Sequence, residues 1–560
     1  MSSKRQISSF DKLSEIVIKL SLIVAGLFIL PGVSYDATNL PRFVLLTIMA
    51  AVALPNVINT IRTRAKSGKI VTLEFWALMF VFLYCLTALI TSLFNETSTS
   101  QEWFGDFGRS TGILSYLAIF TLFLAAMYIS QMAETRKFQS FLRTLFQLCL
   151  IYAVLQNFNI DPIDWDNVFG SALIGTFGNP NFQSIFTAMV SLFFGAWILN
   201  GDYPNKLFRY LDMLCFIISA SLTFVNPSSQ GQIALLIGSV LLLISRFPRK
   251  LRSRFLSFGV GILLFGFALL LWLVWSGSYL QIPTLAQNLQ FRVIVWKASI
   301  NLIHKEPLTG TGFDSFGSWF YEFRDPTLSK AYPTETSADA VHNVFLDQAV
   351  NGGLFLMLCY LGLFFVVAIC IFIAYSRKER ISPTLSFLSA TWVVFLIHNL
   401  VSINQLGIAV FGFIFAGLLL GLSLEIGAGK EGRGKRKSSI LNVILPITVG
   451  LIPLQILHKD ISYLSALESQ DGLKAIQVSS RWPQNDFYLS RTAEILYNND
   501  FPQLGKVEAE KALITNKRNV IALRLLAKDP SLNESRKNEI LADLKEVDPI
   551  SFEAIAYRSR

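Results

Sequence analysis

Charged residues are scarce in this sequence. Only 15% of its 560 residues are Asp, Glu, Lys or Arg, whereas soluble domains carry about 25%. Apolar residues make up 52% of the chain, and 47 residues are phenylalanine. A chain of this composition places most of its length in an apolar surrounding, which excludes a mainly water-soluble fold.

Residues and motifs that bind metals and nucleotides are also few. There are four histidines and five cysteines, and the cysteines lack CxxC spacing, so we expect neither a disulfide framework nor a zinc site. The sequence has no Walker loop, no GxGxxG in a strand–helix setting and no HExxH. These absences predict a protein without a cofactor or a metal site.

Long apolar runs are abundant instead. A helix that crosses a hydrocarbon core of about 30 Å needs about 20 apolar residues. The sequence predicts about 13 such helices, at 15–33, 42–60, 73–93, 112–131, 140–157, 181–199, 208–225, 231–246, 255–275, 341–374, 384–403, 406–424 and 440–458. The predicted fold class is therefore all-α, a polytopic membrane protein.

The net charge of +10 is distributed in a way that orients these helices. Basic residues cluster in alternate loops, "IRTRAKSGK", "ETRKFQSFLR", "RFPRKLRSR", "SRKER" and "GKEGRGKRK", as the positive-inside rule describes for cytoplasmic loops. With the N-terminus inside, an odd number of helices puts the C-terminal region outside the cytoplasm. The charge is thus explained by topology in the cytoplasmic membrane, and we expect no nucleic-acid partner.

Four segments fall on the predicted outer side. They are "NETSTSQEWFGDFGRSTG", "NIDPIDWDNVFGSALIGTFGNPNF", "VNPSSQGQ" and the long loop 276–340. Aromatic residues there have an ordinary role as interfacial anchors, but Arg and Asp beside them also suit a site at the membrane surface. In the second segment Asp164 and Asp166 form a DxD, a pattern that binds divalent metal beside sugar nucleotides. Sugar nucleotides are not expected outside, so a solvated turn is favoured there.

The region 459–560 is polar and shows helical periodicity in short segments separated by Asn, Asp and Pro. This pattern predicts stacked helical hairpins of tetratricopeptide-like character. The predicted domains are a membrane domain at 1–458, with the outer loop 276–340, and an extracytoplasmic hairpin domain at 459–560. We expect the second to pack on the outer loops or to contact an acceptor or a partner protein.

Two stretches of the long loop and the helix after it carry a family likeness. "FRVIVWKASINLIHKEPLTGTGFDSF" followed by "HNVFLDQAVNGG" resembles the O-antigen ligase and O-antigen polymerase superfamily, whose relatives include bacterial protein O-oligosaccharyltransferases. "YDATNLPRF", "FGRSTG" and "GTFGNPNF" also resemble its recurring stretches. The likeness extends over about residues 15–425.

The resemblance implies a glycosyltransferase similar to the GT-C type. Such enzymes take a glycan from an undecaprenyl-diphosphate carrier at the outer face of the membrane and transfer it to an acceptor hydroxyl. Membrane lipids, the lipid-linked donor and a lipid, glycan or protein acceptor are therefore the implied partners. Arginine suits the diphosphate through permanently charged, bidentate contacts, and histidine suits proton transfer near neutral pH.

Carried over by motif, the resemblance makes Arg292 the diphosphate-binding residue and His342 the base or the residue that orients the acceptor. Further candidates for binding the diphosphate or sugar are Arg109, Asn179, Asn181, Gln230, Asn343 and Arg324. Ordinary alternatives exist for several of these residues. The arginines could be interfacial residues that snorkel, His342 an interface histidine, and "GNPN" a helix cap with proline at the first position.

This sequence departs from the family pattern in two places. The loop after the seventh predicted helix often carries Ser-Arg-Gly in the family, but here it reads "SSQGQ", so Gln230 stands where an arginine is expected. The family also tends to show Gly-x-x-Gly after the histidine motif, and here Leu356 replaces the second glycine. The first departure removes a charge from the predicted diphosphate site, so either Arg109 or Arg324 supplies that charge or the donor chemistry differs.

Two other classes of function compete with an enzyme. A lipid-glycan transporter would also have many helices, but transporters tend to show internal repeats and broken helices at matched positions, and no duplicated pattern is present. A membrane anchor that displays the C-terminal helices would not need so many spans. A metal-independent transferase is favoured, and its ligase, polymerase and protein-glycosylating forms share these motifs.

Overall fold

The computed structural model describes residues 9–165, 169–170, 172–276, 278–281, 283–325, 336–426 and 441–552. These ranges are helical and contain no β-strand, which confirms the predicted all-α class. The helices that form the membrane part are α1 Ser9–Leu27, α2 Asn39–Lys66, α3 Thr72–Thr91, α4 Thr99–Phe104, α5 Ile113–Tyr128, α6 Arg136–Asn157, α7 Pro180–Asn200, α8 Lys206–Val225, α9 Ser229–Ile244, α10 Arg249–Ser276, α11 Pro283–Lys305, α12 Phe316–Phe323, α13 Val344–Arg377, α14 Pro383–Val401, α15 Leu406–Ser423 and α16 Leu441–Glu468. Five shorter helices follow, α17 Gly472–Ser479, α18 Asp486–Asn498, α19 Pro502–Thr515, α20 Val520–Ala527 and α21 Glu534–Val547.

Each of the 13 apolar segments identified in the sequence coincides with a helix. Nine helices in the described part of the chain are long and apolar enough to span a membrane, namely α2, α3, α6, α7, α8, α13, α14, α15 and α16. Two others, α5 and α9, are apolar but have only 16 residues each. The chain is thus a multi-pass membrane protein, and the count of 13 spans stays a prediction. The basic segment 429–437 lies outside the described residues.

The membrane helices form an inner and an outer layer. In α7 and α15 the apolar stretch is 89% and 94% buried, whereas in α8 and α16 it is only 22% buried. The central helix α15 packs against α1, α5, α13 and α14. Because α8 and α16 leave leucine, isoleucine and phenylalanine side chains exposed along their length, we assign their outer faces to lipid.

Helix α13 is broken near its N-terminal end, and the break receives a turn of the long outer loop. Gly352 and Gly353 have non-helical backbone angles, and φ is +81° at Gly353. The turn "PLTGTG" fills the gap with backbone hydrogen bonds. Thr311 N donates to Val350 O over 2.7 Å, and Leu354 N donates to Pro307 O over 2.9 Å. The "NGG" sequence therefore attaches the outer loop to a membrane helix.

The C-terminal helices form a body on the same face of the bundle as the loops that the sequence assigns to the outer side. Each of α17 to α20 packs on the next helix in the chain, as expected for helical hairpins, while their repeat character stays a prediction. Phe487 stacks on Phe107 with ring centroids 3.9 Å apart, and Asp460 accepts a 2.5 Å hydrogen bond from Ser34. Helix α16 continues through residue 458, so the predicted domain boundary lies inside a helix.

A buried ion pair joins the C-terminal helices to the long outer loop. Arg324, at the end of α12, contacts the carboxylate of Asp548 at 2.7 Å, and Arg524 contacts the other oxygen of that carboxylate, also at 2.7 Å. The Arg324 and Asp548 side chains are 1% and 0% exposed. Arg518 adds a guanidinium 3.6 Å from the ring centroid of Trp319. These contacts hold helix α12 against the C-terminal helices.

Substitution of Gly353 by alanine should destabilise the protein. Alanine would adopt an unfavourable positive φ, costing about 1–3 kcal/mol, and its Cβ would clash with the carbonyl oxygen of Leu308. Gly266→Ala is the matched control, because no atom lies within 4 Å of a Cβ added there and alanine favours a helix. Thermal unfolding in detergent should show a lower midpoint for Gly353→Ala than for wild type and Gly266→Ala. Equal midpoints for all three proteins would show that the glycine at the break is not needed to bind the outer-loop turn.

Substitution of Asp548 by asparagine should loosen α12. Removal of one partner from a buried ion pair costs about 3–5 kcal/mol, since Arg324 would then be buried without its carboxylate. Amide hydrogen exchange in α12 and α21 should accelerate. Glu539→Gln serves as the control, because Glu539 is 60% exposed and pairs with Arg536 at the surface, where such a pair contributes about 0–1 kcal/mol. Unchanged amide exchange in α12 would show that the ion pair between Arg324 and Asp548 does not hold this helix.

Candidate active site

One residue from each of the two family-like stretches, the segment of Arg292 and the segment of His342, is bound at the C-terminal end of helix α14. The last four carbonyls of a helix have no partner inside it, and α14 ends at Val401 in an extended residue, Ser402. Arg292 Nε of α11 donates to Val401 O over 3.1 Å, and Asn343 Nδ2 donates to Leu400 O over 3.0 Å. Two consecutive carbonyls thus bind two residues that are far apart in sequence.

Each of these residues is fixed by its own helix. Asn343 is the N-cap of α13, where its side-chain oxygen accepts hydrogen bonds from Phe345 N and Leu346 N. Arg292 is half-buried on α11, and burial lowers its pKa. A positive charge beside the carbonyl end of a helix is favourable because the helix dipole is negative there. The geometry therefore brings a cation and the residue next to His342 to the end of one helix.

His342 has an unusual backbone and a neutral side chain. Its φ is +55°, a left-handed conformation that non-glycine residues adopt at a cost and often at functional sites. Its ring lies edge-on to Phe291 with centroids 6.1 Å apart. Burial lowers the pKa of His342 to about 4, opposed by Asp339 and reinforced by the charges of Arg292 and Arg109. At neutral pH the imidazole is thus uncharged and able to accept a proton.

Arg109 is enclosed by carboxylates. Its Nε lies 3.2 Å from Asp314, its Nη2 lies 3.4 Å from Asp347, and its Nη1 lies 3.9 Å from Asp339. Burial opposes the charge, but the carboxylates Asp314, Asp347 and Asp339 outweigh it and raise the pKa of Arg109. The guanidinium is therefore permanently charged and largely neutralised by the protein itself.

Asp314 is the residue that holds the "FGRSTG" loop in place. Besides Arg109, it accepts hydrogen bonds from Thr111 N at 3.0 Å, from Thr111 Oγ1 at 2.6 Å and from Asp106 N at 3.1 Å. A second acid close by, Glu102, contributes no negative charge at neutral pH, because burial raises its pKa to about 8. The loop of Arg109 and the "GTGFDSF" turn are thus one unit.

The "GNPN" segment and Gln230 form a separate polar group. Asn179 caps α7 by accepting from Asn181 N over 2.8 Å, with Pro180 at the first helical position. Gln230 Nε2 donates to Asn181 O over 2.9 Å, while its buried Oε1 has no partner among the described residues. Asn179 therefore has the capping role that the sequence offered as the alternative to sugar binding.

The remaining predicted residues lie elsewhere. Arg324 is in the ion pair with Asp548, and its Nη1 donates to Thr336 O over 3.2 Å. Asp164 is exposed, and Asp166 lies outside the described residues. In the ranges that the structure describes, no three His, Cys, Asp or Glu residues are grouped to hold a metal ion.

Sequence reasoning did not identify the carboxylates Asp314, Asp339 and Asp347. It also missed a series of buried, hydrogen-bonded side chains. In that series Tyr84 donates to Gln348, and Tyr116 OH accepts from Gln348 Nε2 at 2.7 Å and Asn404 Nδ2 at 3.0 Å. Asp314 and Asp347 do lie inside the two motif stretches, which was the available signal. Both residues lie more than 200 positions from Arg109 in the sequence, so motif spacing could not predict that they contact it.

The middle part of the chain is similar to a known protein family. Residues 214–361 match a family model described as O-Antigen ligase. The matched segment contains Gln230, Arg292, Arg324, His342 and Asn343, while Arg109 precedes it. No curated protein matches the chain.

The matched domain supports glycan transfer of the ligase or polymerase type. It runs from within α8 to within α13 and so includes the long outer loop. Residues 214–361 are thus similar to an O-antigen ligase domain, a match that supports the resemblance to the O-antigen ligase and polymerase superfamily.

Proposed function

We propose that this protein transfers a glycan from an undecaprenyl-diphosphate carrier to an acceptor hydroxyl at the outer face of the cytoplasmic membrane, without a metal ion. The observation that supports this most is the attachment of Arg292 and Asn343 to consecutive carbonyls of α14. That attachment holds the guanidinium proposed to bind the diphosphate at the same helix end as the residue next to His342, the proposed base. A lipid-linked donor reaches such a position from the bilayer.

In the proposed step the acceptor oxygen attacks the anomeric carbon of the donor glycan. The bond between that carbon and the diphosphate oxygen breaks, and the diphosphate departs with the electron pair. His342 accepts the proton of the acceptor hydroxyl, or orients that hydroxyl. Arg292 stabilises the charge that develops on the diphosphate, an interaction that is strongest in the transition state.

The arginine environments suggest different roles for Arg109 and Arg292. Three carboxylates surround Arg109, so an incoming diphosphate would compete with them. Arg109 therefore serves chiefly to hold the loops together, and its charge adds to the effect of burial, which lowers the pKa of His342 most. Gln230, in place of a cation, would contribute a hydrogen bond and no charge.

The C-terminal helices are proposed to lie outside the cytoplasm, on the side where the acceptor arrives. Their contacts with Phe107 and α12 put them beside loops that the charge pattern assigns to that side, and Asp460 near the end of α16 bonds Ser34 on the same side. Ligase, polymerase and protein-glycosylating forms of the reaction share the chemistry above and differ in the acceptor.

Replacement of His342 by asparagine should reduce transfer by about 10²–10⁴-fold if the imidazole is the base. Asparagine tolerates a positive φ but accepts no proton in this pH range, so the fold should persist. Arg292→Gln should reduce transfer by about 10²–10³-fold. The measurement is glycan transfer by purified protein from an undecaprenyl-diphosphate-linked donor, with a chelator present.

Lys297→Gln is the control, since it removes a charge from an exposed position on the same helix as Arg292 and should leave transfer unchanged. Unfolding midpoints recorded for all variants separate loss of catalysis from loss of fold. Full transfer by both site variants would refute the assignment, and loss of wild-type activity on chelation would refute the metal-independent mechanism.

The pH profile gives a second test. The pKa of His342 is about 4, and the base must be unprotonated, so kcat/KM should fall only as pH drops through about 4, because this parameter reports the free enzyme. Since the charge of Arg292 lowers that pKa, Arg292→Gln should move the acidic limb to higher pH. A wild-type limb near the ordinary histidine pKa of about 6.5 would contradict the buried, neutral imidazole.

A further inference from the structure

A groove lies where the last membrane helix, α16, meets the loop between α17 and α18. Its volume is about 540 Å³, and its lining includes Leu451, Leu454, His458, Lys459, Arg481 and Trp482. The first four belong to α16, and the last two belong to the segment between α17 and α18. Nothing in the glycan-transfer mechanism uses these residues.

One wall of the groove is apolar and faces the bilayer. Leu451 and Leu454 are 54% and 45% exposed, within the stretch Ile444–Glu468 that is apolar enough to span a membrane. Trp482, 60% exposed, closes the other end and lies edge-on to Phe104 at 6.4 Å. Leucines on the lipid side with an exposed tryptophan beyond them are typical of the boundary between acyl chains and headgroups.

The other wall is cationic. Lys459 is buried, and its ammonium donates 3.0 Å hydrogen bonds to the carbonyls of Arg481 and Pro483. These bonds fix the loop of the exposed Arg481 against α16. None of the residues lining the groove is acidic. The nearest carboxylate along the chain, Asp460, is turned to the other side, where Ser34 and Tyr488 donate to it.

We propose that this groove binds an anionic phospholipid of the outer leaflet. The phosphate lies against Arg481 and His458, where a guanidinium makes bidentate contacts. The acyl chains run along Leu451 and Leu454 toward the bilayer, and Trp482 lies at the level of the headgroup. An anion fits better than a zwitterionic lipid because Lys459 and Arg481 give the groove a positive charge that no lining carboxylate offsets. The bound lipid attaches the C-terminal helices to the membrane surface.

The test uses full-length protein in nanodiscs of phosphatidylcholine alone or phosphatidylcholine doped with phosphatidylglycerol. Native mass spectrometry then counts the lipids that remain bound after release. Wild type should retain phosphatidylglycerol in preference to phosphatidylcholine. Arg481→Gln should lower that retention about fivefold, the value expected for one cation near an anionic lipid, and Leu454→Gln should lower it independently by removing part of the acyl wall.

Lys517→Gln is the matched control, because it removes one charge from an exposed residue of the C-terminal helices that does not line the groove. It should retain phosphatidylglycerol as wild type does, and inorganic phosphate should not displace the lipid. Equal retention of both lipids by wild type would overturn the proposal. So would unchanged retention by both groove variants, or displacement by a polyprenyl diphosphate, which would make the groove a donor site.

Discussion

The arrangement of the site depends on two carbonyls at the end of helix α14 that have no hydrogen-bond partner within that helix. The carbonyls at a half-buried helix end need partners, and here α11 supplies a guanidinium and α13 supplies its capping amide. These two hydrogen bonds connect the end of α14 to α11 and to the start of α13. Because Arg292 and Asn343 are bound to neighbouring carbonyls, neither can shift without breaking a partly buried hydrogen bond, which costs free energy. The positioning of His342 follows from this constraint.

The carboxylates around Arg109 hold the outer loops together, as the carbonyls of α14 hold Arg292 and Asn343. Asp314, Asp339 and Asp347 belong to three different segments, and their common contact with one guanidinium ties those segments together. A buried charge needs such partners, since desolvation without them costs several kcal/mol. At His342, burial disfavours the protonated imidazole most strongly, and the charges of Arg292 and Arg109 add to that effect, whereas the carboxylate of Asp339 opposes it. Burial, together with the two guanidinium charges, thus keeps the proposed base neutral.

The membrane architecture was predictable because helix length and hydrophobicity are local properties of the sequence. All 13 apolar segments coincide with helices, and the cap at Asn179 followed from "GNPN". The carboxylates around Arg109 were not predictable, because their contacts depend on how loops more than 200 residues apart fold together. Arg324 shows the same limit. The sequence offered Arg324 as a replacement for the charge that is missing at Gln230, but in the fold Arg324 pairs with the carboxylate of Asp548, which follows helix α21.

The break in α13 has a mechanical consequence. A continuous helix transmits a tilt along its whole length as a rigid rod, but the hydrogen-bond ladder of α13 is interrupted at Gly352 and Gly353. The piece that carries Asn343 is bonded to the outer-loop turn, while the longer piece toward Arg377 follows the bilayer. Helices accommodate variations in membrane thickness by tilting, so we expect such a tilt to change the angle at the break rather than to move the whole helix. The short piece before the break would then keep its place in the loop assembly while the rest of its own helix follows the bilayer.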